Sequence, residues 1–271
     1  MKIFDIILIK GSENMKFCLS SRQDKEYLMK ADQIKVQFRD RKSIPDLIMD
    51  YPGKEIILEN PKEEVLDWDE LQLWRMLAKD NFVLCLSNPD QLIQAIKLGF
   101  KAYFGWTISD YEVLNTVLKM GACYVRVSGS LFFDLDHVDG KIRATANIAF
   151  EDGLVREDGV AGTYIRPEDV NVYDEYIDVI EFGDCDLKKE QALYRIYAEQ
   201  KAWPGDLGMI ITGLNYTGVN RMVHPDFAQR RISCRQKCKS GGACKFCYRL
   251  LDLANPDLFE NIELFKPKTQ A

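Results

Sequence analysis

The sequence has no apolar run approaching the roughly 18 residues that a membrane span requires. Its N-terminal apolar stretch, Ile3-Phe4-Asp5-Ile6-Ile7-Leu8-Ile9, is short and broken by Asp5, and no small-residue cleavage site follows it. A secretory signal peptide is therefore not expected, and the chain reads as cytoplasmic. Histidine is scarce. His137 sits in an Asp-Leu-Asp-His loop, and His224 precedes Pro225, where it is at most an alternative metal ligand. There is no Gly-x-Ser-x-Gly, no phosphate-binding loop and no His-Glu-x-x-His, which excludes the hydrolase classes built on those motifs. No internal repeat, low-complexity tract or linker is visible.

What is present is a globular composition: 271 residues, 46% hydrophobic and 29% charged, enough for one large domain and a small appendage. Short β-like runs recur at 15–20, 33–39, 55–60, 82–88, 102–107, 123–129, 142–149 and 177–182. Most of the spacings hold one strand and one helix. The last, from 142 to 177, is longer and leaves room for an extra short run at 162–166 and a helix from Pro167. The intervening segments have helical character. Residues 68–79 place Leu71, Trp74 and Leu77 three apart, and 90–98 lie between Pro89 and Gly99. The segment 109–120 opens on Ser109 as the expected N-cap, with Glu112 three residues on, and ends at Gly121. Eight strand-helix units predict an α/β fold, a (β/α)8 TIM-like barrel over residues 1–215. An open doubly wound sheet is the rival, disfavoured because no Gly-rich turn follows the first strand. The run at 2–10 is expected as an extra strand capping the barrel bottom.

Residues 216–271 read as a basic, cysteine-rich extension packed on the barrel. Cys234, Cys238, Cys244 and Cys247 are spaced Cys-x3-Cys-x5-Cys-x2-Cys, with Gly241-Gly242 inside the knot, where a chain wrapping a metal needs small residues. In a reducing compartment such clustering points to metal rather than disulfides. Four thiolates suit one tetrahedral Zn2+ or a [4Fe–4S] cluster, and the spacing does not choose between them. The other four cysteines, Cys18, Cys85, Cys123 and Cys185, lie in or beside apolar runs and read as small hydrophobes. A short helix is expected at 248–254. Residues 221–249 carry eight Lys/Arg and one acid, a balance of +7; the whole chain is −6, so the rest carries −13. That asymmetry suggests a nucleic acid or another anionic partner for the segment. It equally suits a tetrathiolate site, whose charge the basic residues would offset, or docking on the acidic body.

In a barrel, chemistry gathers where strands end. Glu59, Ser87, Thr107, Ser128, Asn147 and Glu181 fall at such ends, and Arg126 lies within a strand where it can point inward. Tyr164, Arg166, Glu168 and Asp169 form a further cluster. Arg166 can fork onto a carboxylate or phosphate, and Glu59, Glu168 or Glu181 can act as acid or base if desolvated. Pro167-Glu168-Asp169 also reads as an ordinary helix start, with Pro first and acids in the first turn.

Residues 160–183, VAGTYIRPEDVNVYDEYIDVIEFG, resemble a segment of the collagenase-like peptidase family, peptidase family U thirty-two. In that family an Arg- and Asp-containing turn precedes a helix and a strand. The stretches SLFFDLDHV and IRATANIAF are similar to barrel strands of its small phage and bacterial relatives. The resemblance implies a TIM-like barrel. It also implies, as in several members, a four-cysteine [4Fe–4S] cluster supporting hydroxylation of RNA bases or of a quinone precursor. It places Arg166 and Asp169 on the family's turn and Glu181 on the acid of its next strand. The family spreads its cluster cysteines along the chain, whereas here they form one late knot, which suits zinc at least as well. A metallo-enzyme and a non-enzymatic zinc-knot module docking nucleic acid or protein are thus both expected readings.

Overall fold

The computed structural model describes residues 15–61, 64–108, 110–127, 138, 140–145, 155–156, 159–160, 165–182, 186–201 and 227–232. Eight parallel strands close into a barrel in the order β1-β10-β7-β6-β5-β4-β3-β2. They are β1 Lys16–Ser20, β2 Gln33–Gln37, β3 Glu55–Asn60, β4 Phe82–Leu86, β5 Lys101–Ile108, β6 Val125–Val127, β7 Ile142–Thr145 and β10 Ile177–Glu181. An antiparallel hairpin of β8 (Val155–Arg156) and β9 (Gly159–Val160) lies between β7 and β10. Closure rests on β1 pairing with both β2 and β10, with Cys18 opposite Gln33 and Lys16 opposite Val179. The fold is an α/β TIM-like barrel, and the open-sheet alternative is excluded.

All eight expected strands are barrel strands. The long spacing before β10 contains the hairpin, a 3-10 turn at Pro167–Asp169 and helix α6 (Val170–Tyr173). The remaining helices are α1 Lys25–Lys30, α2 Ile44–Asp50, α3 Trp68–Leu77, α4 Pro89–Lys97, α5 Tyr111–Lys119, α7 Leu187–Ala198 and α8 Phe227–Ile232. Four open on side-chain caps that satisfy otherwise orphaned amides: Asp67, Asn88, Asp110 and Asp186. The cap of α5 is Asp110 rather than Ser109. Its carboxylate accepts from the Glu112 and Val113 amides at 2.8 and 3.0 Å, so the helix begins one residue later than its Ser-x-x-Glu pattern suggested. Gly99 and Gly121 follow α4 and α5 at φ +81° and +97°, the left-handed turn that ends a helix most easily at glycine. In α3 the buried face is Leu71, Trp74 and Ala78. Leu77 is half exposed because the helix ends there and Ala78 takes the inward position.

Two apolar layers glue the helices to the outside of the barrel. One joins Ile34, Val36, Ile56, Leu58, Leu84 and Leu86 to Leu71, Trp74 and Leu92. The other joins Phe17, Leu19, Val125, Val127 and Ile180 to Leu114, Leu193 and Tyr197, and takes in Ala228 and Ile232 of α8. Among the described residues no helix is long and apolar enough to cross a membrane. The expected strand at 2–10, the run at 162–164, Ser109, Ser128, His137, Asn147, Tyr164, Cys185, His224, the four-cysteine knot and the helix at 248–254 lie outside the described residues.

Candidate functional site

Successive side chains of a strand point to opposite faces. Because Ile34 and Val36 of β2 pack outward under the helices, Gln33, Lys35 and Gln37 must face the bore. The same logic turns Glu55, Ile57 and Glu59 of β3 inward, along with Cys18, Cys85, Tyr103, Arg126, Arg143, Val179 and Glu181. TIM-barrel bores are ordinarily filled by branched aliphatics. Here three cations and two carboxylates occupy the middle and C-terminal end of the bore.

Glu181, at the C-terminal end of β10, is the hub. Arg143 Nε donates to its Oε2 at 2.7 Å, Arg126 Nη2 donates to the same oxygen at 3.2 Å, and Arg126 Nε pairs with Oε1. Arg126 reaches Glu59 as well, Nη2 to Oε1 at 3.3 Å, and donates to the Gly105 carbonyl. The Gln37 amide donates to Glu59 Oε2. Arg143 Nη1 donates to Gln33 Oε1 at 2.5 Å, and Gln33 in turn reaches Glu55 and the Tyr124 hydroxyl near the N-terminal end. Both guanidinium groups lie over the Tyr103 ring, at 5.9 Å for Arg126 and 5.3 Å for Arg143, a cation–π arrangement. Exposure is graded: the side chains of Arg143 and Glu181 are 0% and 3% exposed, those of Arg126 and Glu59 both 13%. The upper pair is therefore the part of the network nearest to solvent.

Gly105 makes room for this arrangement. A Cβ there would come within 3.1 Å of Cys85 Sγ and 3.4 Å of Ser87 Oγ.

The charges set one another's protonation. Burial alone would push the Glu181 carboxyl up, but Arg126, Arg143 and Lys35 outweigh it and hold it well below the ordinary carboxylate range. Burial likewise opposes the charge on Lys35, and attraction to Glu181 and Glu59 more than restores it, so its ammonium titrates above the usual lysine range. Burial pushes the thiols of Cys18 and Cys85 up to about 11, so both are neutral at pH 7.

Of the residues singled out in the sequence, Glu59, Arg126 and Glu181 come together. Arg166 and Asp169 form a second, separate pair. Arg166 Nε and Nη2 fork onto the two Asp169 carboxylate oxygens at 2.5 and 2.7 Å, with Glu168 at 3.6 Å. Both residues are buried beside Ile165, whose carbonyl accepts from the Tyr197 hydroxyl of α7 at 2.6 Å. This fork seats the turn before α6 against α7 on the outside of the barrel. Among the described residues no group of three His, Cys, Asp or Glu side chains is arranged to hold a metal.

Lys35 and Arg143 escaped the sequence reading. The signal was present in β2, where polar residues at 33, 35 and 37 alternate with apolar ones at 34 and 36. In a barrel coated with helices the apolar set faces out, so the polar set must face in.

No family model matches the chain, and no curated protein sequence matches it. Among solved structures it is similar to the crystal structure of orotidine 5'-monophosphate decarboxylase from Metallosphaera sedula. That match has 15% identity and a TM-score of 0.39, over 69% of this chain and all of that one.

Proposed function

We propose that the chain is a TIM-barrel enzyme of the hydroxylase-like or peptidase-like kind that the collagenase-like peptidase family represents. In this reading it acts at the C-terminal mouth of the barrel on a nucleic acid or small anionic substrate. The observation that carries the reading is the ion network in the bore, whose half-open members, Glu59 and Arg126, stand at the strand ends where such barrels do their chemistry. Glu59 is the group placed to take or give a proton at its carboxylate, since Gln37 and Arg126 orient it without enclosing it. Arg126 holds substrate negative charge. Glu181 is ionised and enclosed, so it does not exchange protons at neutral pH; it aims Arg126. Arg166 and Asp169 hold the turn that leads into α6.

The donor set of Cys234, Cys238, Cys244 and Cys247 fits a [4Fe–4S] cluster or Zn2+ by its chemistry: four soft ligands with basic neighbours that favour thiolates. A cluster would supply single electrons, whereas zinc would organise the segment around it.

The test is metal analysis and visible absorbance of protein purified without oxygen. The metal-loaded protein is then incubated with total RNA and with a small-molecule extract, each read by mass spectrometry. One component should change mass, and Glu59→Gln should abolish the change while leaving the metal in place. Loaded protein that changes nothing in either pool overturns the reading. The +7 balance of 221–249 favours a second reading, a zinc-knot module docking nucleic acid or a protein partner without chemistry. That reading predicts colourless protein with stoichiometric zinc and salt-sensitive RNA binding, without turnover.

A further inference from the structure

Several exposed apolar side chains among the described residues stand apart from one another. Met29 on α1 and Leu187 on α7 are single, and Val113 and Met120 lie two turns apart at the ends of α5. On α3 the pattern differs. Leu71 and Trp74 face the barrel, so the helical repeat turns Leu73, Met76 and Leu77 together to the opposite side. These three form one stripe, with Met76 70% exposed and the two leucines about half exposed. Met49, also 70% exposed, lies in the last turn of α2, which packs beside α3. Leu98 ends α4, and its carbonyl accepts from Arg75 Nη1 of α3 at 3.1 Å. The patch thus spans the C-terminal ends of three successive helices. The Asn81 carbonyl, just past α3, accepts from the Ile56 amide at the start of β3, so these helix ends lie toward the end of the barrel away from its mouth.

We propose that this patch is a homodimer face, on which the α3 helices of two copies pack antiparallel about a two-fold axis. Five side chains so exposed offer on the order of 500 Å² of apolar surface, as much as the largest patch of a typical monomer. With a polar rim, that is a fitting core for the roughly 800 Å² per partner of a stable contact. The charges are self-complementary. An axis through the stripe lays the first turn of each α3 against the residues just past the stripe of the other copy. The first turn carries Asp69 and Glu70, and Lys79 lies past the stripe, so opposite charges meet on both sides of the axis. Arg75 and Asp80 already face each other within one chain at 3.5 Å. Segments 44–54, 68–80 and 89–101 hold six acids and five bases, one of the thirteen net negative charges outside 221–249. Two acidic bodies therefore repel least along this side, whereas an anionic partner finds no net positive charge there. The arrangement leaves both barrel mouths open and does not depend on what they do.

The experiment measures the mass of the full-length protein by light scattering during gel filtration over a range of micromolar concentrations. The unaltered protein should show twice the 31.3 kDa of one chain. Met76→Glu should weaken the dimer at least tenfold, because it sets like charges across the axis. Val113→Glu, an equivalent change on α5, should leave the mass unchanged. Peroxide oxidation of Met49 and Met76 in the unaltered chain, read by mass spectrometry of peptides, gives an answer even where a variant does not fold: both should be protected more as concentration rises. A monomer at every concentration, or a dimer indifferent to Met76→Glu, overturns the proposal. So does equal loosening by Val113→Glu. Protection that does not vary with concentration would assign the patch to another segment of the same chain, and unprotected methionines at every concentration would leave it to a different partner; either result refutes the second copy.

Discussion

Replacing Glu181 by glutamine keeps the shape of the hub and removes its charge. The carboxylate is 2% exposed and is held by Arg143 Nε at 2.7 Å and by Arg126 through two nitrogens. Without it, Arg143 loses its carboxylate and Arg126 keeps only Glu59. Removing one partner of a buried ion pair costs about 3–5 kcal/mol, because the survivors stay desolvated. At this chain length each kcal/mol moves the midpoint by about 2–4 °C, so Glu181→Gln should melt roughly 10 °C below the unaltered protein. The pH dependence checks the cause. The folded pKa of Glu181 is depressed below its ordinary value of 4.5. The stability it contributes is therefore fully present above that value. It is lost as pH falls from there towards the lower folded value, because the unfolded chain binds a proton the folded one refuses. Glu181→Gln should lack this acid-side loss, and the two melting curves should converge as pH drops below about 4.5. In a cycle with Arg143→Met, the double variant should be less unstable than the sum of the singles, by about 0.5–3 kcal/mol. A Glu181→Gln protein that melts with the unaltered one, or a strictly additive cycle, refutes the picture of a coupled charge hub.

Gly105→Ala should cost about 1–3 kcal/mol in urea unfolding, since its Cβ would press on Cys85 Sγ at 3.1 Å, and Cys85→Ala in the same chain should return most of the loss; an undiminished penalty in the double variant would show that the clash is not the cause. Cys18, Cys85 and Cys123, whose thiols burial pushes up to about 11, 11 and 12, should resist alkylation in the folded protein at pH 8 and react only on unfolding, read by mass spectrometry of labelled peptides. Rapid native labelling of any of them counts against the described packing. Cys244→Ser should lose metal and solubility together, measured by metal analysis of the soluble fraction, because metal binding and folding of such a segment are one equilibrium. A soluble, fully metallated variant would show that Cys244 is not a ligand.

The barrel was legible because each strand is a short apolar run and each spacing is one helix long, a periodicity that local chemistry imposes whatever the function. Glu59 and Glu181 were legible for a similarly simple reason: they stand where runs end. The partners of Glu181 were harder. Arg143 meets Gln33 across the bore from a strand 110 positions away in sequence, and such a contact exists only once the sheet has closed. Arg166 and Asp169 show the converse. Their i, i+3 spacing makes a local pair, but no spacing says whether that pair faces the bore or an outer helix, and here it underlies α7.

What the bore does with its charges follows from what stability does not require. A barrel interior of valine, isoleucine and leucine packs without desolvation cost, and replacing buried ion pairs by apolar residues of similar volume is often neutral or stabilising. The outer layers of this protein are of that apolar kind: Ile34, Val36, Ile56, Leu58 and Leu84 are completely buried or nearly so. The inward residues of the same strands include Lys35 and Glu59 beside Ile57, Val83 and Cys85, so charge enters only part of the inner face. Nor does the network close on itself, since Lys35 remains outside every ion pair among the described residues and Arg143 keeps an orphan donor. Burying this many charges where apolar side chains would pack without desolvation cost is what stability alone does not explain.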